Sequence, residues 1–242
     1  METKDEVFKN PIEQSSDFKF DQRVVKVFDD MVTRSVPFYI EIQRMISELA
    51  GEYAKSKTTI YDLGCSTGTT MVNMNATVAK DVKFIGIDDS KEMLVQCGEN
   101  LMKAGFEREF DLQYADLNKG VEIKNASVVV LCLTLQFIRP LHREKLLQEI
   151  HQGIHEGGCL ILVEKILGEE SILNRNFIKY YYDFKKRNQY SEMEIAQKRE
   201  ALENVLIPYK LSEDQEMLLK AGFSHTEVFF KWYNFSGIIA LK

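Results

Sequence analysis

The sequence predicts an α/β fold: a mostly parallel, seven-stranded sheet with an antiparallel C-terminal hairpin, N-terminal helices and a helical insertion. Three observations carry this reading. From Thr58 onward, short apolar runs alternate with helical stretches, the pattern that yields parallel strands joined by crossover helices. A glycine-rich turn, Gly64 to Gly68, follows the first apolar run directly and opens a helix. The last two apolar runs are separated by so short a turn that they must pair antiparallel.

Taken in order, residues 1–20 are polar and irregular and read as an arm free to fold back over a site. Val24, Phe28 and Met31 recur at helical spacing, as do Ile42, Met45, Ile46, Leu49 and Tyr53, with Pro37 between the two patterns. These make an N-terminal helical extension over about 1–57. Strands are expected at 58–63, 82–88, 110–115, 126–133 and 159–165, with a helix over Thr69–Val78 after the first. The clearest later helix is Leu141–His155, with Gly157-Gly158 read as its stop. A polar, aromatic and basic helical insertion occupies about 168–212, and Thr226–Trp232 with Ser236–Leu241 form the hairpin. The whole chain, 1–242, is expected to be one domain, a usual length for a single α/β core.

Composition narrows the class. No apolar run approaches the roughly 18 residues a membrane span requires, and the charged start Met1-Glu2-Thr3-Lys4-Asp5-Glu6 resembles no secretion signal. Cys65, Cys97, Cys132 and Cys159 contain no CxxC pair, so neither a zinc site nor a disulfide framework is expected, and a reducing cytoplasm fits. A net charge of -6 argues against a protein that grips nucleic acid across its whole surface.

The chemistry is written around the first glycine turn. Thr59-Ile60-Tyr61-Asp62-Leu63 runs into Gly64-Cys65-Ser66-Thr67-Gly68, where glycine lets the main chain turn and approach a ligand closely. Dinucleotide binding asks for G-x-G-x-x-G, which seats pyrophosphate on the helix N-terminus; here the pattern is G-x-S-x-G. Asp88-Asp89, at the end of the second strand, supplies paired acceptors suited to ribose hydroxyls, and Asp116 after the third run suits a contact near an adenine. Each feature alone has a plain explanation as a turn glycine or a helix cap. Their combination favours S-adenosyl-L-methionine (SAM) over NAD.

The same residues admit rival readings. Gly64 to Gly68 also matches a hydrolase nucleophile elbow, with Ser66 as nucleophile and His225 as a nominal base. That layout wants strands where this chain has helices, and leaves Asp88-Asp89 unexplained. His151 and His155, four apart, lack the glutamate and third ligand of a zinc site; His155 fits better as a cation at a helix C-terminus. The insertion, from Tyr180-Tyr181-Tyr182 through Lys185-Lys186-Arg187 to Gln197-Lys198-Arg199, interleaves aromatics with cations as single-strand nucleic-acid binders do. Packing of its tyrosines against the domain or a second subunit, with its cations solvated or bound to an anionic ligand, is the simpler account.

Nearly the entire chain resembles the carboxy-S-adenosyl-L-methionine synthases of tRNA wobble-uridine modification. The resemblance runs through Phe28-Asp29-Asp30-Met31, Arg34-Ser35-Val36-Pro37-Phe38-Tyr39, Tyr61-Asp62-Leu63-Gly64-Cys65-Ser66 and Leu133-Thr134-Leu135-Gln136-Phe137. It is most specific in the insertion, from Asp183-Phe184-Lys185-Lys186 to Leu202-Glu203-Asn204-Val205, and closes with Asn234-Phe235 and Ala240-Leu241.

The resemblance implies a Rossmann-like methyltransferase fold used for a different reaction, in which the SAM methyl carbon receives a carboxyl group from prephenate. Carboxy-SAM and phenylpyruvate are the products. It implies a cytoplasmic homodimer without direct tRNA contact, its product passing to a separate tRNA-modifying enzyme. Tyr39, Gly64, Cys65, Ser66, Asp88, Asp89, Asp116, Leu117 and Cys132 match ligand-contacting positions. Arg199 matches the catalytic arginine that meets the new carboxylate, reached from the neighbouring subunit. Two positions depart from the family pattern: Cys132 stands where asparagine is expected, and Asp88-Asp89 where Asp-Asn is expected. Two alternatives keep the same loop, an ordinary methyltransferase, told apart by product mass, and a silent SAM- or tRNA-binding adaptor, told apart by salt-sensitive RNA binding.

Overall fold

The computed structural model describes residues 4–11 and 17–242. Three helices come first: α1 (Gln22–Val25), α2 (Phe28–Ser35) and α3 (Tyr39–Tyr53). The alternating core then runs β1 (Thr59–Leu63), α4 (Thr69–Met74), β2 (Lys83–Asp88), α5 (Lys91–Lys103), β3 (Phe110–Tyr114), β4 (Ala126–Cys132), α6 (Pro140–Gly153) and β5 (Ile154–Lys165). The insertion supplies α7 (Ser171–Arg187) and α8 (Glu192–Leu202), and α9 (Leu211–Ala221) leads into β6 (His225–Trp232) and β7 (Phe235–Leu241). The sheet order is β3-β2-β1-β4-β5-β7-β6. Strands β1 to β5 are mutually parallel, and β7 enters antiparallel to both β5 and β6.

Both faces of the sheet are covered, which explains why the central strands read as unbroken apolar runs. Along β4, Val129 and Leu131 face a core shared with α6 and α9, while Val128 and Val130 face one shared with α3, α4 and α5. Leu160 and Leu162 of β5 join the first core and Cys159, Ile161 and Val163 the second, the two-residue period of a strand. Local signals fix the helix ends. Pro140 stands in the first turn of α6, a Ser191–Glu194 capping box opens α8, and Gly222 closes α9 with φ 113°.

Helix α6 ends at Gly153, two residues before the expected end, and Gly157-Gly158 lie inside β5. Between the pairs Ala126↔Ile154 and Val128↔Cys159 the register jumps, so these glycines belong to a bulge. A Cβ on Gly158 would sit 2.6 Å from the Ser127 carbonyl oxygen. His155 is therefore a strand residue whose Nε2 lies 2.6 Å from Asn125 Oδ1, and the helix-dipole reading of it does not hold. Helix α4 likewise stops at Met74, short of Val78. Among the described residues no helix is long and apolar enough to cross a membrane.

The arm folds over the carboxyl edge of the sheet. Phe20 packs against Phe28 and Phe137 with centroids 6.2 and 5.4 Å away, and its carbonyl accepts a 2.9 Å hydrogen bond from Ser90 Oγ. Residues 1–3 and 12–16 of the expected arm lie outside the described residues.

Candidate active site

A cleft of about 350 Å³ opens at the carboxyl ends of β1, β2 and β4, where the strand order reverses between β1 and β4. Its floor is the glycine turn. The Gly64 and Cys65 N–H groups donate to the Ile87 carbonyl at 2.7 and 3.1 Å, tying the turn to β2. Gly64 has φ 79°, and a Cβ there would stand 2.4 Å from Thr134 Oγ1, so only glycine fits between the turn and the loop after β4. Ser66 is held at φ 47° and Gly68 at φ 83°, and Thr67 Oγ1 donates to Asp29 Oδ1 on α2 at 2.8 Å.

The two acidic residues after β2 divide the work. Asp88 is buried, and its carboxylate accepts the Ser66 N–H through one oxygen and the Ser90 N–H through the other, each at 2.9 Å. Burial pushes its carboxyl up to about 6 against these hydrogen bonds. Asp89 is exposed on the cleft, its carboxyl held up by partial burial and by the Asp116 charge opposite. Asp116 caps the short turn Leu117–Lys119, accepting from Asn118 N–H at 2.9 Å, and Leu117 presents an apolar side chain to the same wall. Asp88 thus shapes the loop, whereas Asp89 offers a freer acceptor to a ligand's hydroxyls.

Tyr39, first residue of α3, and Cys132, last of β4, line the inner wall. Gln43 Nε2 donates to Cys132 Sγ at 3.6 Å, and burial pushes that thiol well up, so it stays neutral at physiological pH. Arg199 on α8 is exposed and borders the cleft of its own chain. All the residues expected at the site, Tyr39, Gly64, Cys65, Ser66, Asp88, Asp89, Asp116, Leu117, Cys132 and Arg199, come together around this one cleft.

The hydrolase reading fails on geometry. His225 sits on β6, four strands from β1, with its Nδ1 3.0 Å from Ser224 Oγ. In the insertion, Tyr181, Tyr190 and Lys185 are buried and Tyr182 and Phe184 pack on the core beneath, whereas Tyr180, Lys186 and Arg187 stay exposed.

Further residues complete the site. Glu164, buried near the end of β5, accepts the Leu135 and Gln136 N–H groups at 2.9 and 2.8 Å and so holds the loop after β4 in place. Burial holds its carboxyl well above the usual range. Asp62, buried in β1, is pushed up to about 7 by burial and by the neighbouring Asp88 charge. Phe18 and Phe20 wall the mouth, and Lys165, Lys185 and Lys198 line its far side. The available signal was charge placed inside or at the end of apolar strand runs, as in Tyr61-Asp62-Leu63 and Val163-Glu164-Lys165.

Known proteins resemble the chain in two ways. Residues 60–158 match a methyltransferase-domain family model. A SAM-dependent methyltransferase from Aquifex aeolicus superposes with TM-score 0.61 at 16% identity, over 92% of this chain and 98% of that one. An O-methyltransferase family protein from Burkholderia thailandensis gives TM-score 0.66 at 14% identity over 92% of this chain but only 60% of its own, longer one. Such likenesses give the fold: a Rossmann-like methyltransferase sheet. In sequence, the carboxy-S-adenosyl-L-methionine synthase of Methylococcus capsulatus is 54% identical over 241 residues, 99% of this chain and 100% of that protein. The chain belongs to the carboxy-S-adenosyl-L-methionine synthase family.

Proposed function

We propose that this protein carboxylates the methyl carbon of SAM with prephenate as carboxyl donor. The observation that carries the reading is the full-length 54% identity to a carboxy-SAM synthase, joined to a cleft whose lining includes both the SAM-type loop and Arg199. The expected SAM contacts all border the cleft: the turn Gly64-Cys65-Ser66 for the amino-acid part, Asp89 for the ribose, and Asp116 with Leu117 for the base.

The balanced reaction has four changes. Prephenate loses its ring carboxylate as carbon dioxide and its ring hydroxyl as hydroxide, leaving phenylpyruvate. The SAM methyl loses a proton to that hydroxide, giving water and a sulfonium ylide. The ylide carbon then bonds to carbon dioxide. The protein contributes proximity, water exclusion and charge placement. Arg199 supplies a permanently charged, planar partner for the new carboxylate, which two parallel hydrogen bonds would hold. The walls of Phe18, Phe20 and Phe137 keep water from an ylide it would quench.

In this reading the protein works in the cytoplasm, in keeping with four free cysteines, and as a homodimer. Exposed Phe38, Ile40, Ile172 and Leu173 offer apolar surface for a second copy. The product passes to a separate tRNA-modifying enzyme. Prephenate labelled with ¹³C at its ring carboxylate provides the test: the label is expected in the carboxylate of carboxy-SAM, and an unlabelled product would rule this donor out.

A further inference from the structure

The far side of the cleft concentrates positive charge where burial makes it costly. Lys165 ends β5, Lys185 lies on α7 and Lys198 on α8, and all three line the cleft. Lys185 is 6% exposed and Lys198 8% exposed. Lys198 Nζ donates to Ser35 Oγ at 3.2 Å. The Nζ atoms of Lys165 and Lys185 stand 5.1 and 4.9 Å from the Tyr181 ring centroid, a weak cation–π contact for each. Among the described residues no carboxylate pairs with any of the three. Asp5, whose carboxylate is taken up by Tyr190 Oη at 2.5 Å, acts on Lys185 and Lys198 only at longer range, and Arg34 beside it is matched by Asp30 at 3.1 Å.

Lys185 and Lys198 are buried and Lys165 is half-buried; an ammonium group withdrawn from water without a paired counter-ion is expensive, and desolvation holds Lys165 and Lys198 down to about 8 and Lys185 well below its usual value. An arrangement of cations that costs stability by itself is explained by an anion that offsets it.

We propose that Lys165, Lys185 and Lys198 form the subsite for the carboxylate that the donor retains, the keto-acid side chain of prephenate, with Tyr181 and Tyr182 beside its ring. This inference rests on the proposed function for the identity of the donor. The chemistry selects which carboxylate the lysines hold. A carboxylate that departs as carbon dioxide loses its charge in the transition state, so a cation on it would favour the ground state and slow the reaction. The retained carboxylate keeps its charge throughout, and gripping it anchors the donor while the departing group points across the cleft toward the SAM methyl carbon.

Lys185→Met and Lys165→Met remove the charge and keep the length of the side chain. The expected result is a KM for prephenate at least ten-fold higher, with KM for SAM within two-fold and a Tm equal to or above wild type, since an uncompensated buried charge has gone. Lys185→Arg is expected to restore part of the prephenate affinity. Calorimetric titration of phenylpyruvate into protein saturated with S-adenosylhomocysteine reads the subsite without turnover, and the Met variants should bind it at least ten-fold more weakly. If wild type makes no carboxy-SAM from prephenate, the functional reading fails, and this titration still decides the subsite. Equal phenylpyruvate affinity in wild type and variants, or none in wild type, would overturn it, as would an unchanged prephenate KM. Should a Met variant unfold, Lys185→Arg alone carries the comparison: a prephenate KM raised more than SAM KM sustains the subsite, and equal changes in both overturn it.

Discussion

The Asp88 carboxylate accepts a 2.9 Å hydrogen bond from the Ser66 N–H, linking the end of β2 to a turn residue held at φ 47°. A serine in this left-handed region persists only where its surroundings fix it, and costs about 1–3 kcal/mol. Asp88→Ala leaves the Ser66 and Ser90 N–H groups unpaired and frees the turn. We expect a Tm several degrees lower and SAM affinity at least ten-fold weaker. Asp89→Ala, by contrast, should leave Tm within about a degree and weaken SAM by roughly ten-fold, about the value of one hydrogen bond to a charged group. Calorimetry with thermal melts separates the two roles, and identical behaviour of both variants would contradict the division of labour.

Gly64→Ala places a methyl 2.4 Å from Thr134 Oγ1 at a backbone angle of φ 79°. Backbone strain and steric overlap together should cost about 2–4 kcal/mol and close the floor of the cleft to ligand. Thr134→Ala in the same chain should relieve part of the overlap but none of the φ cost. If the single variant binds SAM normally, the close approach of the two loops is not needed for binding.

Acid titration gives a third expectation. Burial raises Asp62 to about 7, Asp214 to about 7 and Asp88 to about 6, all above an ordinary value of 3.8. Each therefore contributes stability that is present in full below about pH 4 and lost as pH rises through 6 to 7. The combined contribution of these three carboxyls to Tm should fall between about pH 4 and pH 7. Asp62→Asn should flatten that fall and stabilise the protein at pH 8 by roughly 4 kcal/mol at most. A variant with the wild-type slope would show that Asp62 ionises freely in the folded protein.

Arg199 is the fourth point of test. Arg199→Ala should leave SAM affinity within about three-fold and weaken carboxy-SAM by about 10- to 100-fold, the worth of a charge-assisted pair. Lysine should rescue little, because it lacks the planar fork. Unchanged product affinity would remove Arg199 from the carboxylate site.

Much of this was legible in sequence because each strand carries its own signal. Runs such as Ser127–Cys132 and Cys159–Val163 are apolar on both faces, as doubly covered strands must be, and Gly64 and Gly68 stand where the backbone needs positive φ. The Gly157-Gly158 misreading has an equally local cause: a glycine pair after a helical pattern signals a helix stop and a strand bulge alike, and only the pairing of β5 with β4 tells them apart. Lys185 and Lys198 stand out in the sequence as cations of the insertion, but their meeting with Lys165 at one cleft was opaque for another reason. They arrive from three separate elements, and their burial depends on how α7 and α8 lie against the sheet, which no spacing within the chain encodes.

The most direct test of SAM carboxylation is mass spectrometry of small molecules released by heat from the purified protein after incubation with SAM, with and without prephenate. The account predicts a species with the mass of SAM plus one carbon dioxide, formed only when prephenate is present. Release of SAM or S-adenosylhomocysteine alone under both conditions would contradict it and point to methyl transfer onto another acceptor.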